Sequence, residues 1–162
     1  MRDDGRGGSL LSVLNMRVRN NYEPRWIGAI LNWPATSILA RVALTAAYLV
    51  GGITKLFDFS GAMAEQQRFG LHPAWLWAAL AVLVEVVAPV LIISGRLVWL
   101  GAGAIAVETA IITLVVNDFW NLEGHARFLS MSAFLEHWGI IGGCVLAAVL
   151  ADRDRRAAKV TH

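Results

Sequence analysis

Three ionisable side chains, Arg41, Glu85 and Glu108, stand inside long runs of Ala, Leu, Val and Ile. At bilayer depth such a group costs ~2.5–3.5 kcal/mol on insertion scales, so each needs a reason to be there. A guanidinium beside two carboxyls can hold a ligand carbonyl or an anionic group and can move protons. Both carboxyls cannot ionise cheaply beside one cation, so one of them would carry a proton. At ~1.5 Å per residue, Arg41 would lie roughly 7–8 Å inside the edge of its helix. Glu85 and Glu108 would lie roughly 13–17 Å inside the same edge, within reach of a long arginine. The expectation is an internal cluster of Arg41, Glu85 and Glu108, with the two glutamates as the catalytic proton carriers.

A second set surrounds the first. Arg41, Thr45, Tyr48, Gly52 and Lys55 recur at spacings of four, three, four and three, which places them on one helix face. That face is the natural bundle-facing stripe, and it puts Tyr48 and Lys55 among the ligand-holding candidates. At the other end of the spans an outer cluster would gather Lys55, Asp58, Asn117, Asp118, Glu136 and His137, with Lys55 paired to Glu136. A histidine such as His137 could relay a proton or ligate a metal. Gly51-Gly52, Gly142-Gly143, Gly101 and Gly103 read as close-packing surfaces, and Cys144 as inert packing.

Positioning these groups requires four membrane-spanning helices. Of the 162 residues 57% are hydrophobic and only 16% charged, and the mean hydropathy is +0.56. Disorder is excluded by that apolar content, and a soluble enzyme would need more polar surface. Four segments reach the ~20 apolar residues a span needs: about 36–57, 74–94, 97–116 and 131–151. Ser94-Gly95-Arg96 is a tight link between the second and third. Residues 1–33 read as an N-terminal segment with an interfacial anchor, in which residues 9–18 suit a short amphipathic helix, and residues 152–162 as a basic tail. Arg and Lys concentrate before the first span, at Arg96 and after the fourth span, so both termini are expected in the cytoplasm. The expected fold is therefore all-α, a four-helix transmembrane bundle in a bacterial cytoplasmic (inner) membrane, with the lipid bilayer as its first partner.

Several functions are not encoded. No glycine-rich phosphate loop follows a strand, no hydrolase motif orders Ser, His and Asp, and the four histidines have no metal-binding spacing, so no metal site is expected. A single cysteine excludes Cys-x-x-Cys redox chemistry. The sequence pI of 9.1 reflects basic ends that suit anionic lipid, and nucleic acid is not an expected partner.

In order and spacing these pieces resemble the DoxX family of small four-helix membrane proteins. Ala40-Arg41-Val42 and Gly51-Gly52-Ile53-Thr54-Lys55 match its opening arginine and glycine-x-x-lysine. Glu85 stands at its glutamate, Asn117-Asp118-Phe119-Trp120 is similar to its His-x-Phe-Trp exit, and Gly142-Gly143 to its double glycine. Asn117 replaces the usual histidine, and Glu136-His137 replaces lysine-asparagine, so the outer charge is altered. The resemblance implies a subunit of a quinone-linked oxidoreductase system, with quinone as the cofactor and redox proteins as partner subunits. Glu85 and Glu108 would carry protons; Arg41, Tyr48, Lys55 and His137 would hold the quinone. The competing readings are a non-enzymatic scaffold or assembly factor, and a small-solute or proton transporter, which would require a homo-oligomer.

Overall fold

The computed structural model describes residues 24–160; the expected amphipathic segment 9–18 and most of the N-terminal arginines lie outside them. Four helices are long and apolar enough to cross a membrane. They are α2 (Pro34–Phe57), α4 (Ala74–Ile93), α5 (Val98–Val116) and α6 (Gly124–Val160). Two short helices accompany them, α1 (Arg25–Leu31) and α3 (Phe59–Arg68), with one 3-10 turn at Phe119–Asn121. Among the described residues there is no strand.

Residues up to Ser37 form a unit of their own. Within it, α1 follows Pro24 and closes where Asn32 Nδ2 donates to the Gly28 carbonyl and Thr36 Oγ1 to that of Ile30. Its Trp26, Ile30 and Leu31 are exposed.

In the second unit, from Ile38 onward, α6 packs on α5, α5 on α4, and α3 on α4. The core is small: Ala88, Ile92, Val98, Ala102, Ile105 and Cys144. Large aliphatics such as Val50, Leu83, Val107 and Leu146 are exposed, which is stable only where lipid is the solvent. The link between α4 and α5 turns through Gly95 (φ +72°) and Leu97 (φ +52°), two left-handed residues close together. The expected fourth span, 131–151, lies inside a longer helix of 37 residues. Its charged tail is rich in Ala, Arg and Lys, which are good helix formers, and Asp152 accepts from Arg156 Nε one turn on, at 2.7 Å. The link from Asp58 to Pro73 is partly helical. Its first half is α3, capped by Asp58, whose Oδ1 accepts from Gly61 N and Ser60 Oγ, each at 2.9 Å.

Helices approach closely at Gly52, at Gly101 and at Gly143, where a Cβ would lie 2.9 Å from Leu44 Cδ1. A Cβ on Gly52 would lie 2.8 Å from Glu85 Cβ and 2.9 Å from Val86 Cγ2. One on Gly101 would lie 2.7 Å from the Ala88 carbonyl oxygen. Gly142 has nothing within 4 Å. Gly52→Val should therefore lower stability by about 1–3 kcal/mol through overpacking. Gly142→Ala should be neutral or raise it by up to ~1 kcal/mol through helix propensity. Thermal unfolding in one detergent compares the two.

Asp58 gives a pH signature outside the spans. Its hydrogen bonds from Gly61 and Ser60 hold its carboxyl below the ordinary 3.8. The folded-state value is depressed, so the cap's contribution is present above the ordinary value and is lost as pH falls through the lowered one. Amide protection of α3 should fall on acidification in the native chain. In Asp58→Asn, which keeps a capping oxygen without the titration, it should not depend on pH in that range.

Candidate functional site

Lys55 and Glu85 form the centre of the site. Lys55 is two residues from the end of α2, and its Nζ lies 2.5 Å from Glu85 Oε1. Side-chain exposure is 19% for Lys55 and 6% for Glu85, so the pair is largely out of solvent. Lys55 also faces Glu65 of α3 at 3.8 Å, on the more exposed side. Glu85 comes this close because α2 offers no side chains opposite it: its Oε2 lies where a Cβ on Gly51 would be 3.2 Å away, and its Cβ packs on Gly52. Pro89, inside α4, has no N–H to give the Glu85 carbonyl four residues back.

Beside this pair lies a cavity of about 540 Å³ between α3, α4 and α5. Lys55, Glu65 and Gln66 stand at its polar end. Trp77, Leu80, Val84, Trp99, Val107 and Ile111 are among its apolar walls, and Glu108 is the further ionisable group lining it. Among the described residues Glu108 Oε2 and Glu85 Oε2 are buried without a hydrogen-bond partner. The cavity thus combines an apolar body with one cation and carboxyl groups at one level.

The expected Arg41–Glu85–Glu108 cluster does not form. Arg41 makes no ion pair with either glutamate; its Nη1 would be 2.8 Å from a Cβ on Gly95, so it lies at the turn between α4 and α5. The cause is register. With Gly52 level with Glu85, antiparallel packing puts Arg41 level with Gly95, at the helix ends rather than in the core. Lys55, expected to pair with Glu136, takes the inner carboxylate instead, and Glu136 is exposed. The rest of the expected outer cluster disperses. Asp58 caps α3, Asp118 Oδ2 accepts from Asn121 Nδ2, and Asn117 and His137 turn inward to Thr113. Tyr48 and His137 do not line the cavity: Tyr48 bonds Thr109 at 2.6 Å and His137 Nδ1 lies 2.8 Å from Thr113 Oγ1.

Glu65, Gln66, Thr109 and Thr113 were not singled out by sequence reasoning. The threonines carried a signal, since with Asn117 they recur every four residues inside an apolar run. Glu65 and Gln66 carried none, because a ten-residue polar helix between spans looks like a loop.

The family model for DoxX matches residues 36–118. The chain belongs to the DoxX family. It is 26% identical over 116 residues to the inner membrane protein YphA of Escherichia coli strain K12, covering 72% of this chain and 83% of that protein. No solved structure matches. This DoxX protein is thus a multi-pass inner-membrane protein, and the matched stretch contains Lys55, Glu85 and Glu108, so the cavity lies almost wholly within the family's domain.

Removing one member of the buried pair leaves the other charge without compensation. Lys55→Met should cost about 3 kcal/mol, whereas Lys55→Met combined with Glu85→Gln should recover much of that loss. A double-mutant cycle on thermal unfolding measures the coupling.

Proposed function

We propose that this protein is a membrane subunit of a quinone-linked oxidoreductase system and that the cavity beside Lys55 takes the quinone head. The observation that supports this reading is Glu108, a half-buried residue in the wall of a largely apolar cavity lined also by Lys55, with its Oε2 buried and without a hydrogen-bond partner. An occupant must be largely apolar, because Trp77, Leu80, Val84, Val107 and Ile111 surround it. It must also accept hydrogen bonds, because the ammonium of Lys55 and a protonated Glu108 are the donors at hand. A quinone fits both demands, with its carbonyl oxygens at these donors and its isoprenoid tail along the apolar wall.

A bound quinone supplies two-electron, two-proton redox chemistry, with electrons delivered by partner subunits. Lys55 orients one carbonyl, in the role first assigned to Arg41. Glu108 would hold a proton at its carboxyl in the wall of the same cavity. Glu85 fixes Lys55, and the aliphatic walls exclude water from the donors, which strengthens both hydrogen bonds.

Trp77 and Trp99 line the cavity, so quenching of tryptophan fluorescence by a short-tailed ubiquinone reports occupancy. Saturable quenching is expected in the purified chain. Glu108→Leu should weaken it about tenfold, the loss of one hydrogen bond. Glu108→Gln, which keeps a donor but carries no proton, should retain binding and lower quinone-dependent activity of the host membrane. Quenching that does not saturate, or is unchanged in Glu108→Leu, rejects the reading.

A further inference from the structure

The quinone reading leaves Arg41 without a role. Its guanidinium lies against Gly95, in the turn between α4 and α5, and the residue is half-buried. The ion pairs among the described residues are Lys55 with Glu65 and Glu85, and Arg156 with Asp152, so Arg41 has no carboxylate there. A guanidinium is all donors and needs several acceptors. Arg96, next in the same turn, is exposed and equally without a carboxylate.

The tail of α6 joins them at this end of the bundle. Ala151 is buried in the core cluster that contains Val98, the first residue of α5, so the helix beyond it starts near the level of the turn. It runs on to Val160, and Arg153, Arg155, Arg156 and Lys159 are all exposed. At 3.6 residues per turn these four side chains cover an arc of ~160°, and Asp154 lies opposite its centre. Asp152, the one carboxylate inside the arc, is already held by Arg156 at 2.7 Å. At the other end of the spans the balance is reversed. There Asp58, Glu65, Asp118 and Glu123 stand against Arg68 and Arg127, and Lys55 is taken by Glu85.

Depth selects the partner. Arg153, Arg155 and Arg156 lie roughly 3, 6 and 8 Å beyond Ala151 at ~1.5 Å per residue. The headgroup layer on each side of the hydrocarbon is ~5–8 Å thick. The three tail arginines therefore stand among headgroups, at the layer of Arg41 and Arg96, and any tilt of α6 brings them closer to it. Lys159, at ~12 Å, reaches past the layer. A protein interface needs an apolar centre, and the one apolar side chain larger than alanine in this stretch of α6 is Val160.

We propose that this basic end is a binding site for anionic phospholipid, with the phosphodiester held by Arg41 and Arg96 and the tail of α6 drawing anionic headgroups to the same leaflet. A guanidinium takes two phosphate oxygens at once, which supplies the acceptors that Arg41 lacks within the protein. Gly95 keeps the seat open, since a Cβ there would lie 2.8 Å from Arg41 Nη1. A zwitterionic lipid carries the same phosphate but cancels it with its own ammonium, so net charge is what the site reads.

Native mass spectrometry of the full chain in non-ionic detergent, titrated with phosphatidylglycerol or with phosphatidylcholine of the same acyl chains, gives the ratio of the two affinities. Phosphatidylglycerol should bind about tenfold more tightly or better, since each cation at a membrane surface favours anionic lipid by up to about fivefold. Arg41→Gln combined with Arg96→Gln should lower that ratio about fivefold, and Arg153→Gln, Arg155→Gln and Arg156→Gln together should lower it by a similar factor. Arg127→Gln, exposed near the start of α6 at the other end, should keep the native ratio. Thermal unfolding in lipid-free detergent checks that each variant is folded; Arg96→Gln alone, at an exposed side chain, should still lower the ratio where the double variant does not fold. Equal affinities for the two lipids leave this end to an acidic protein and overturn the proposal. A native ratio in either multiple variant overturns it too, as does displacement of the lipid by inorganic phosphate, which marks a site for a soluble anion. No quinone is present, so no outcome bears on whether the cavity binds one; fluorescence quenching decides that.

Discussion

The Lys55–Glu85 ion pair constrains the rest of the bundle. Two opposite charges at membrane depth hold together because separating them would leave each in a medium that solvates neither. The pair therefore fixes the register of α2 against α4. Once Lys55 Nζ meets Glu85 Oε1, Gly51 and Gly52 face the glutamate, and only residues without a Cβ let the backbones come that near. The same register carries Arg41 down to Gly95, where the α4–α5 turn ends the apolar layer. One contact thus decides which cation belongs to the core and which to the interface.

Pairing Glu85 with Lys55 also leaves Glu108 as the odd group. Had Arg41 reached both glutamates, the interior would have held a shared, hydrogen-bonded cluster. Instead Glu85 Oε1 meets Lys55, Glu108 has no cation of its own, and the Oε2 of each glutamate is buried without a partner. An unmatched polar atom in low dielectric is costly, and in the quinone reading proposed above the ligand would supply its partner. α3 belongs to the same arrangement. Capped by Asp58 directly after α2, it brings Glu65 within 3.8 Å of Lys55 and gives the cavity its polar end.

The spans were legible in the sequence because hydropathy over some twenty residues is a local property. The helix starts at Pro34 and after Pro73 and the tight link at Gly95 were legible for the same reason. Which polar groups meet across helices was not. Arg41 and Lys55 share one face of α2, and both are long enough to reach a glutamate; the choice depends on how far α2 slides along α4. Periodicity within one helix contains no information about that slide. Gly51-Gly52 did contain it, since a pair of glycines opposite a bulky Glu85 is a strong register marker, but read alone it suggested only close packing. The long α6 misled in a different way: hydropathy stops at Ala151, whereas helix propensity and the Asp152–Arg156 pair continue the backbone through charged residues.

The choice of lysine over arginine as the buried cation has a chemical consequence. A guanidinium presents five donors in a fixed fork and does not lose its proton in proteins, so it needs several acceptors and keeps its charge. At the level of Glu85 one carboxylate oxygen is in contact, whereas Arg41 lies at the Gly95 turn, at the end of the apolar layer. Arginine suits the second place and lysine the first. An ammonium is a point charge that can be met by one oxygen, and it can release a proton. Across 2.5 Å Lys55 meets Glu85 Oε1 with such a point charge, where a guanidinium would leave most of its donors without an acceptor.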